Sequence, residues 1–148
     1  TTLVLHGQAS LLEGRLRARA SVDWTLPGAR ARLHGRSVYG TDTGFSGRIR
    51  LGHGSGATAS AEYSVAPRWT LVGEVLYEQD GGSTLRADQG QGSAAPRRRP
   101  SMWRLSVLPA VQYHLSDRVG LIGGLQVGVM GRNATALFAP QIAINMGF

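Results

Sequence analysis

The sequence predicts an all-β, antiparallel fold, and three observations predict it. Apolar and polar residues alternate with a period of two along most of the chain. Short breaks carrying Gly, Pro, Asn or Asp separate the alternating runs. No stretch repeats at helical spacing.

The runs follow one another as nine candidate strands. Leu3–Leu12 is the first, with weak alternation. Arg15–Leu26 alternates strictly: Leu16, Ala18, Ala20, Val22, Trp24 and Leu26 fall on one face, and Arg15, Arg17, Arg19, Ser21, Asp23 and Thr25 on the other. Ala31–Tyr39, Phe45–His53 and Ala57–Val65 are weaker. Trp69–Tyr77, Trp103–Tyr113, Val119–Val129 and Phe138–Phe148 are strong. The breaks Glu13-Gly14, Pro27-Gly28, Thr41–Gly44, Gly54–Gly56, Ala66–Arg68, Ser116-Asp117 and Arg132-Asn133 read as turns. One long connection remains, Glu78–Ser101, rich in Gly, Ser, Gln, Asp and Arg. The whole is an up-and-down meander with one long loop.

Composition narrows the class. The chain has 148 residues, 42% hydrophobic and 17% charged, with 21 Gly and no Cys. That length suits one domain, or a portion of one. The apolar share is too high for a disordered chain, and no run approaches the ~18–20 apolar residues of a spanning helix. Without Cys there is no disulfide framework, thiolate metal site or Cys nucleophile.

The aromatic residues decide between a soluble sandwich and a membrane wall. Trp24, Tyr39, Phe45, Tyr63, Trp69, Tyr77, Trp103, Tyr113, Phe138 and Phe148 all lie on the apolar parity of their strands. They sit at strand ends, while Leu, Val, Ile, Ala and Gly occupy the middles. A soluble core prefers large rings near its centre; a lipid-facing strand carries them as girdles at the two interfaces. Ten residues at ~3.3 Å each, tilted by ~40°, rise about 25 Å, the height of a membrane barrel's apolar band.

The final segment, Gln141–Phe148, alternates to the last residue and ends on an aromatic. With Ile142, Ile144, Met146 and Phe148 on one parity, it resembles the C-terminal strand of Gram-negative outer-membrane β-barrels. The resemblance implies an integral outer-membrane protein, an assembly signal read by the barrel-assembly machinery, and contact with outer-membrane lipid and lipopolysaccharide. If the last strand ends in the periplasm, Ser116-Asp117, Ala66–Arg68, Thr41–Gly44 and Glu13-Gly14 are periplasmic turns and 78–101 is an extracellular loop. Leu3–Leu12 then starts outside the cell. The expectation is an antiparallel up-and-down transmembrane barrel, with these nine strands as the C-terminal part of a larger one. The alternative is a complete eight-stranded barrel over 1–148, reached by fusing Phe45–Val65 into one strand. That fusion would separate Phe45 from Tyr63 by ~45 Å along the axis, too far for one membrane.

All sixteen Lys+Arg residues are Arg, against nine acids, for a net charge of +7. A basic balance ordinarily suggests nucleic acid. Here the other parity, which would line the lumen, collects Arg15, Arg17, Arg19, Arg30, Arg32, Arg36, Arg48, Arg50 and Arg104, against Asp23, Glu62, Glu74 and Glu78. Inward arginines favour small anionic or polar solutes over nucleic acid. Hairpins closing at Pro27-Gly28 and Gly54-Ser55 would bring Asp23 to Arg32 and Arg48 to Glu62.

Other signals are weak. The four His show no metal-pair spacing, Gly52–Gly56 lacks the Lys and helix of a phosphate loop, and no spacing marks a catalytic triad. No metal or other cofactor is expected. Arg97-Arg98-Arg99-Pro100 reads as a solvated loop run, or as a contact for lipopolysaccharide phosphates. The function expected is a pore or export channel with an Arg-rich lumen. A structural, adhesion or anchoring barrel is the alternative, and an outer-membrane hydrolase trails. Further N-terminal strands or other copies of the chain could complete the barrel.

Overall fold

A computed structural model describes residues 2–27, 30–88 and 97–146. The chain is all-β and antiparallel, with eleven strands and no helix among these residues. They are β1 (Leu3–Glu13), β2 (Leu16–Leu26), β3 (Ala31–His34), β4 (Ser46–Leu51), β5 (Gly54–Ala66), β6 (Trp69–Asp80), β7 (Ser83–Ala87), β8 (Arg97–Arg99), β9 (Met102–His114), β10 (Val119–Arg132) and β11 (Phe138–Met146).

Seven of them form one large sheet in the order β1-β2-β5-β6-β9-β10-β11, and the other four form a second sheet in the order β3-β4-β7-β8. The large sheet is a meander with its three shortest connections at one end, Gly14-Arg15, Pro67-Arg68 and residues 115–118, and the five-residue link 133–137 at the other. Gly14 takes φ +57°, the left-handed backbone a two-residue turn needs. At the opposite end the chain leaves in two long excursions, 27–53 and 81–101, and these carry the second sheet.

The second sheet extends the first. Leu51 opposes Ser83 and Gly54 opposes Asp80, so the β5–β6 register runs unchanged into β4–β7. The β6–β9 register likewise continues into β7–β8, where Ser83 opposes Arg99. The ladder crosses the junction with a change of phase: Gly52 N–H bonds Gly82 O and Gly81 N–H bonds His53 O, both at 2.7 Å, in two adjacent pairs that a regular antiparallel ladder would bond only alternately. A Cβ on Gly52 would sit 2.5 Å from the Gly81 backbone, and one on Gly81 would sit 2.7 Å from His53. Only glycine allows the two chains to approach this closely where the ribbon bends.

This arrangement revises the nine-strand reading. Gly52–Gly56 does not close a hairpin: β4 pairs with β3 and β7, while β5 pairs with β2 and β6. Glycine signalled a turn, but close backbone approach is what these glycines serve. Ala31–Tyr39 shortens to β3 and ends at Gly35, whose φ is +72°. Thr41–Gly44 belongs to the second sheet's end of the molecule, not to the end with the tight turns. The segment 78–101 is not plain loop, since β6 runs to Asp80 and β7 and β8 follow.

The sheets are not closed into a barrel. β1 and β11 are both edges, and in an odd-numbered meander they run in the same direction.

Burial in the large sheet is inverted relative to a soluble one. Along β6 and β9 the apolar parity is the open face: Leu71 is 49% exposed and Val75 45%. The polar parity is enclosed: Thr70 is 5% exposed, Gln112 7% and Ser106 0%. A curled sheet shades its concave side, and here that side carries Thr, Gln, Ser, Glu and Arg. The second sheet has its own small core of Ile49 and Leu85, both buried. The segment 35–45 folds over that core. Phe45 lies against Gly47, Arg97 Nη1 donates to Gly40 O at 3.3 Å, and buried Thr41 donates from Oγ1 to Gly35 O.

Candidate functional site

The molecule presents two polar surfaces that the ribbon joins. The first is the concave face of the large sheet. Register fixes its membership: Arg17 and Arg19 on β2, Glu62 on β5, Glu74, Glu78 and Asp80 on β6, and Arg104 on β9 share it with Asp23. Three arginines therefore meet five carboxylates, a net charge of −2.

The ions on this face are largely paired. Arg104 reaches Glu78 directly across the β6–β9 ladder, with Nη2 at 2.6 Å and Nε at 3.1 Å from Oε2. Both donors converge on one carboxylate oxygen, and the Arg104 side chain is only 19% exposed. Arg17 Nη1 lies 3.6 Å from Glu62 Oε2, opposite it in the β2–β5 ladder and far more open to solvent. Asp23 accepts from His6 Nδ1 at 2.7 Å, across β1–β2. Neutral groups continue the network, with Gln141 Nε2 donating to Gln126 Oε1 at 2.8 Å and Thr70 Oγ1 lying 3.3 Å from His114 Nε2.

The second surface is one face of the outer sheet. Arg32, Arg48 and Arg86 stand opposite one another on β3, β4 and β7. One step further along, Arg50, Thr84 and Arg98 form the next row across β4, β7 and β8. Arg30, Arg48, Arg50, Thr84, Arg86 and Asp88 line a cleft of about 560 Å³ on this sheet. Asp88 is the one carboxylate lining it, and Asp88 Oδ2 accepts from Ser46 Oγ at 3.1 Å.

The expected residues thus divide. Arg17, Arg19, Glu62, Glu74 and Arg104 lie on the concave wall, whereas Arg32, Arg48 and Arg50 lie on the outer sheet. Arg15 occupies the β1–β2 turn, and Arg36 the segment after β3. The expected Asp23–Arg32 and Arg48–Glu62 pairs do not form, because β2 and β5 are neighbours and β3 and β4 are lifted away from them. Sequence reading missed Arg86 and Arg98 as partners of Arg48 and Arg50. The signal was the short alternation Thr84-Leu85-Arg86-Ala87 inside a segment read as loop.

The aromatic residues divide in the same way. Trp69 and Tyr113 pack with ring centroids 4.7 Å apart at the tight-turn end, next to Tyr63. Tyr77 and Trp103 lie 6.4 Å apart at the other end. Trp24 and Phe138 are exposed on the apolar parity of β2 and β11, as are Ile142, Ile144 and Met146. Tyr39 and Phe45 belong to the outer segment and not to the large sheet. Phe148 lies outside the described residues.

Among the described residues no three His, Asp or Glu gather as a metal site. No protein-family model matches the chain, and no curated protein matches it.

Proposed function

We propose that the large sheet is part of the wall of a transmembrane β-barrel in a Gram-negative outer membrane, and that the barrel is a pore or export channel for polar solutes. The inverted burial of the large sheet carries this reading. An apolar face this open, lined by Leu71, Val75, Val111, Leu121, Ile142 and Ile144, is stable against lipid and costly against water. The rings support it. From Trp69 to Tyr77 the strand climbs ~20 Å at a ~40° tilt, which sets the two aromatic pairs near the two interfaces. The three shortest turns fall at one end, and both long excursions fall at the other beside the five-residue link 133–137, an asymmetry that suits periplasmic turns and extracellular loops.

Unpaired strand edges are not tolerated in lipid, where each unsatisfied backbone group costs several kcal/mol. β1 and β11 run in the same direction, so an antiparallel ladder cannot join them. Closure in this geometry takes an odd number of further strands, from a longer chain or from other copies. Barrel-assembly machinery would act on the β11 end.

Planar-bilayer recording tests the pore. Reconstituted protein should give discrete, ohmic conductance steps. Stable insertion without conductance would contradict the pore and leave the alternative, a structural or anchoring barrel. A protein that stays monomeric in buffer without detergent would overturn the membrane reading itself.

A further inference from the structure

We infer that the arginine face of the outer sheet is a binding site for a ligand carrying at least two phosphate groups. Like charges directly opposite one another in a ladder are destabilising. Here Arg32, Arg48 and Arg86 stand in one row, and Arg50 and Arg98 flank Thr84 in the next. No ion pair holds any of these five among the described residues. The remaining residues offer no carboxylate side chain either: 28–29 are Gly and Ala, and 89–96 hold Gln, Gly, Ser, Ala and Pro. Asp88 is alone at the cleft and is engaged by Ser46. A sheet that concentrates this charge without internal compensation is matched by a multivalent anion.

The chemistry of the face selects the ligand. Guanidinium forks bind phosphate oxygens two at a time, and every cation here is Arg. Neighbours within a row are ~4.8 Å apart across strands and the rows are ~6.6 Å apart along β4, spacings that match neighbouring phosphate groups better than one isolated anion. The arginines stand on the open face of the outer sheet, with Ile49 and Leu85 buried on the other parity. A dissolved phosphate and a lipid headgroup phosphate present the same oxygens to this face, and the experiment separates them.

The inference rests on the outer sheet's geometry, and binding is measured in detergent micelles, where no pore is required. Calorimetric titration of the purified protein with pyrophosphate at low salt should give saturable binding. Orthophosphate should bind more weakly. Arg48→Gln with Arg86→Gln should weaken pyrophosphate binding at least about tenfold. Arg48→Lys with Arg86→Lys should fall between, since the charge stays and the fork is lost. Unchanged circular dichroism would show that the outer sheet persists in both variants. Two results would overturn the inference: no saturable pyrophosphate binding, or equal affinity in the double Gln variant. Capture of mixed micelles bearing a bis-phosphorylated glycolipid by the wild type and not by the double Gln variant, beside pyrophosphate binding, would support it with a headgroup as the source.

Discussion

The wall and the outer sheet are two stretches of one ribbon, yet they treat arginine in opposite ways. On the wall, Arg17 and Arg104 each have a carboxylate directly across the ladder, and the face as a whole is slightly acidic. Beyond the Gly52–Gly82 junction the outer sheet sets Arg48 against Arg32 and Arg86. The difference lies in the cross-strand partners. On the wall, β5 and β6 set a carboxylate opposite Arg17 and Arg104, whereas β3, β4 and β7 set arginine opposite arginine. A sheet raised into solvent tolerates unpaired cations and keeps them available to a ligand. Net charge alone, +7 for the chain, hides this division.

The comparison breaks most readily on the wall's apolar face. Val75 lies mid-strand and is exposed. Val75→Arg should cost ~2–4 kcal/mol of folding stability in bilayers, measured by urea unfolding in vesicles. A water-facing Val75 would accept Arg with almost no change. Next comes the junction. Gly52→Val drives a side chain into the Gly81 backbone and should cost ~1–3 kcal/mol. Limited proteolysis should then cut within 30–51 and 83–99 while β9–β11 stay protected. Equal protection throughout would mean that the outer sheet does not depend on the glycine approach.

Smaller effects test the pairing on the wall. Glu78→Gln leaves Arg104 without its ion pair, and because Glu78 is 46% exposed the loss should be only about 1 kcal/mol. Smaller still is Arg17→Gln. That pair spans 3.6 Å in the open, so the thermal midpoint should hardly move. If Arg17→Gln cost more than Glu78→Gln, the assignment of the tighter pair to the enclosed part of the wall would be wrong.

Sequence periodicity exposed the large sheet well, because a sheet with one apolar and one polar face enforces a period of two. Arg15–Leu26, Trp69–Tyr77, Trp103–Tyr113 and Val119–Val129 all coincide with strands of the large sheet. Parity also foretold which face would bear the rings. It could not say which strands pair, since β4 meets β7 across more than thirty residues of chain. That non-local pairing moved Arg32, Arg48 and Arg50 out of the wall and brought Arg86 and Arg98 beside them. The clue lay in the glycines: past the irregularity between Ser64 and Ala66, the β5–β6 ladder brings Gly52 opposite Gly82 and His53 opposite Gly81.

Fluorescence quenching in vesicles tests the central claim, that the apolar parity of the large sheet faces lipid. Trp24, Trp69 and Trp103 are the only tryptophans, and all three lie on that parity. Lipids brominated near the headgroup should quench them strongly, lipids brominated near the chain ends should quench them less, and aqueous acrylamide should have little effect. Strong acrylamide quenching with no response to brominated lipid would contradict the account.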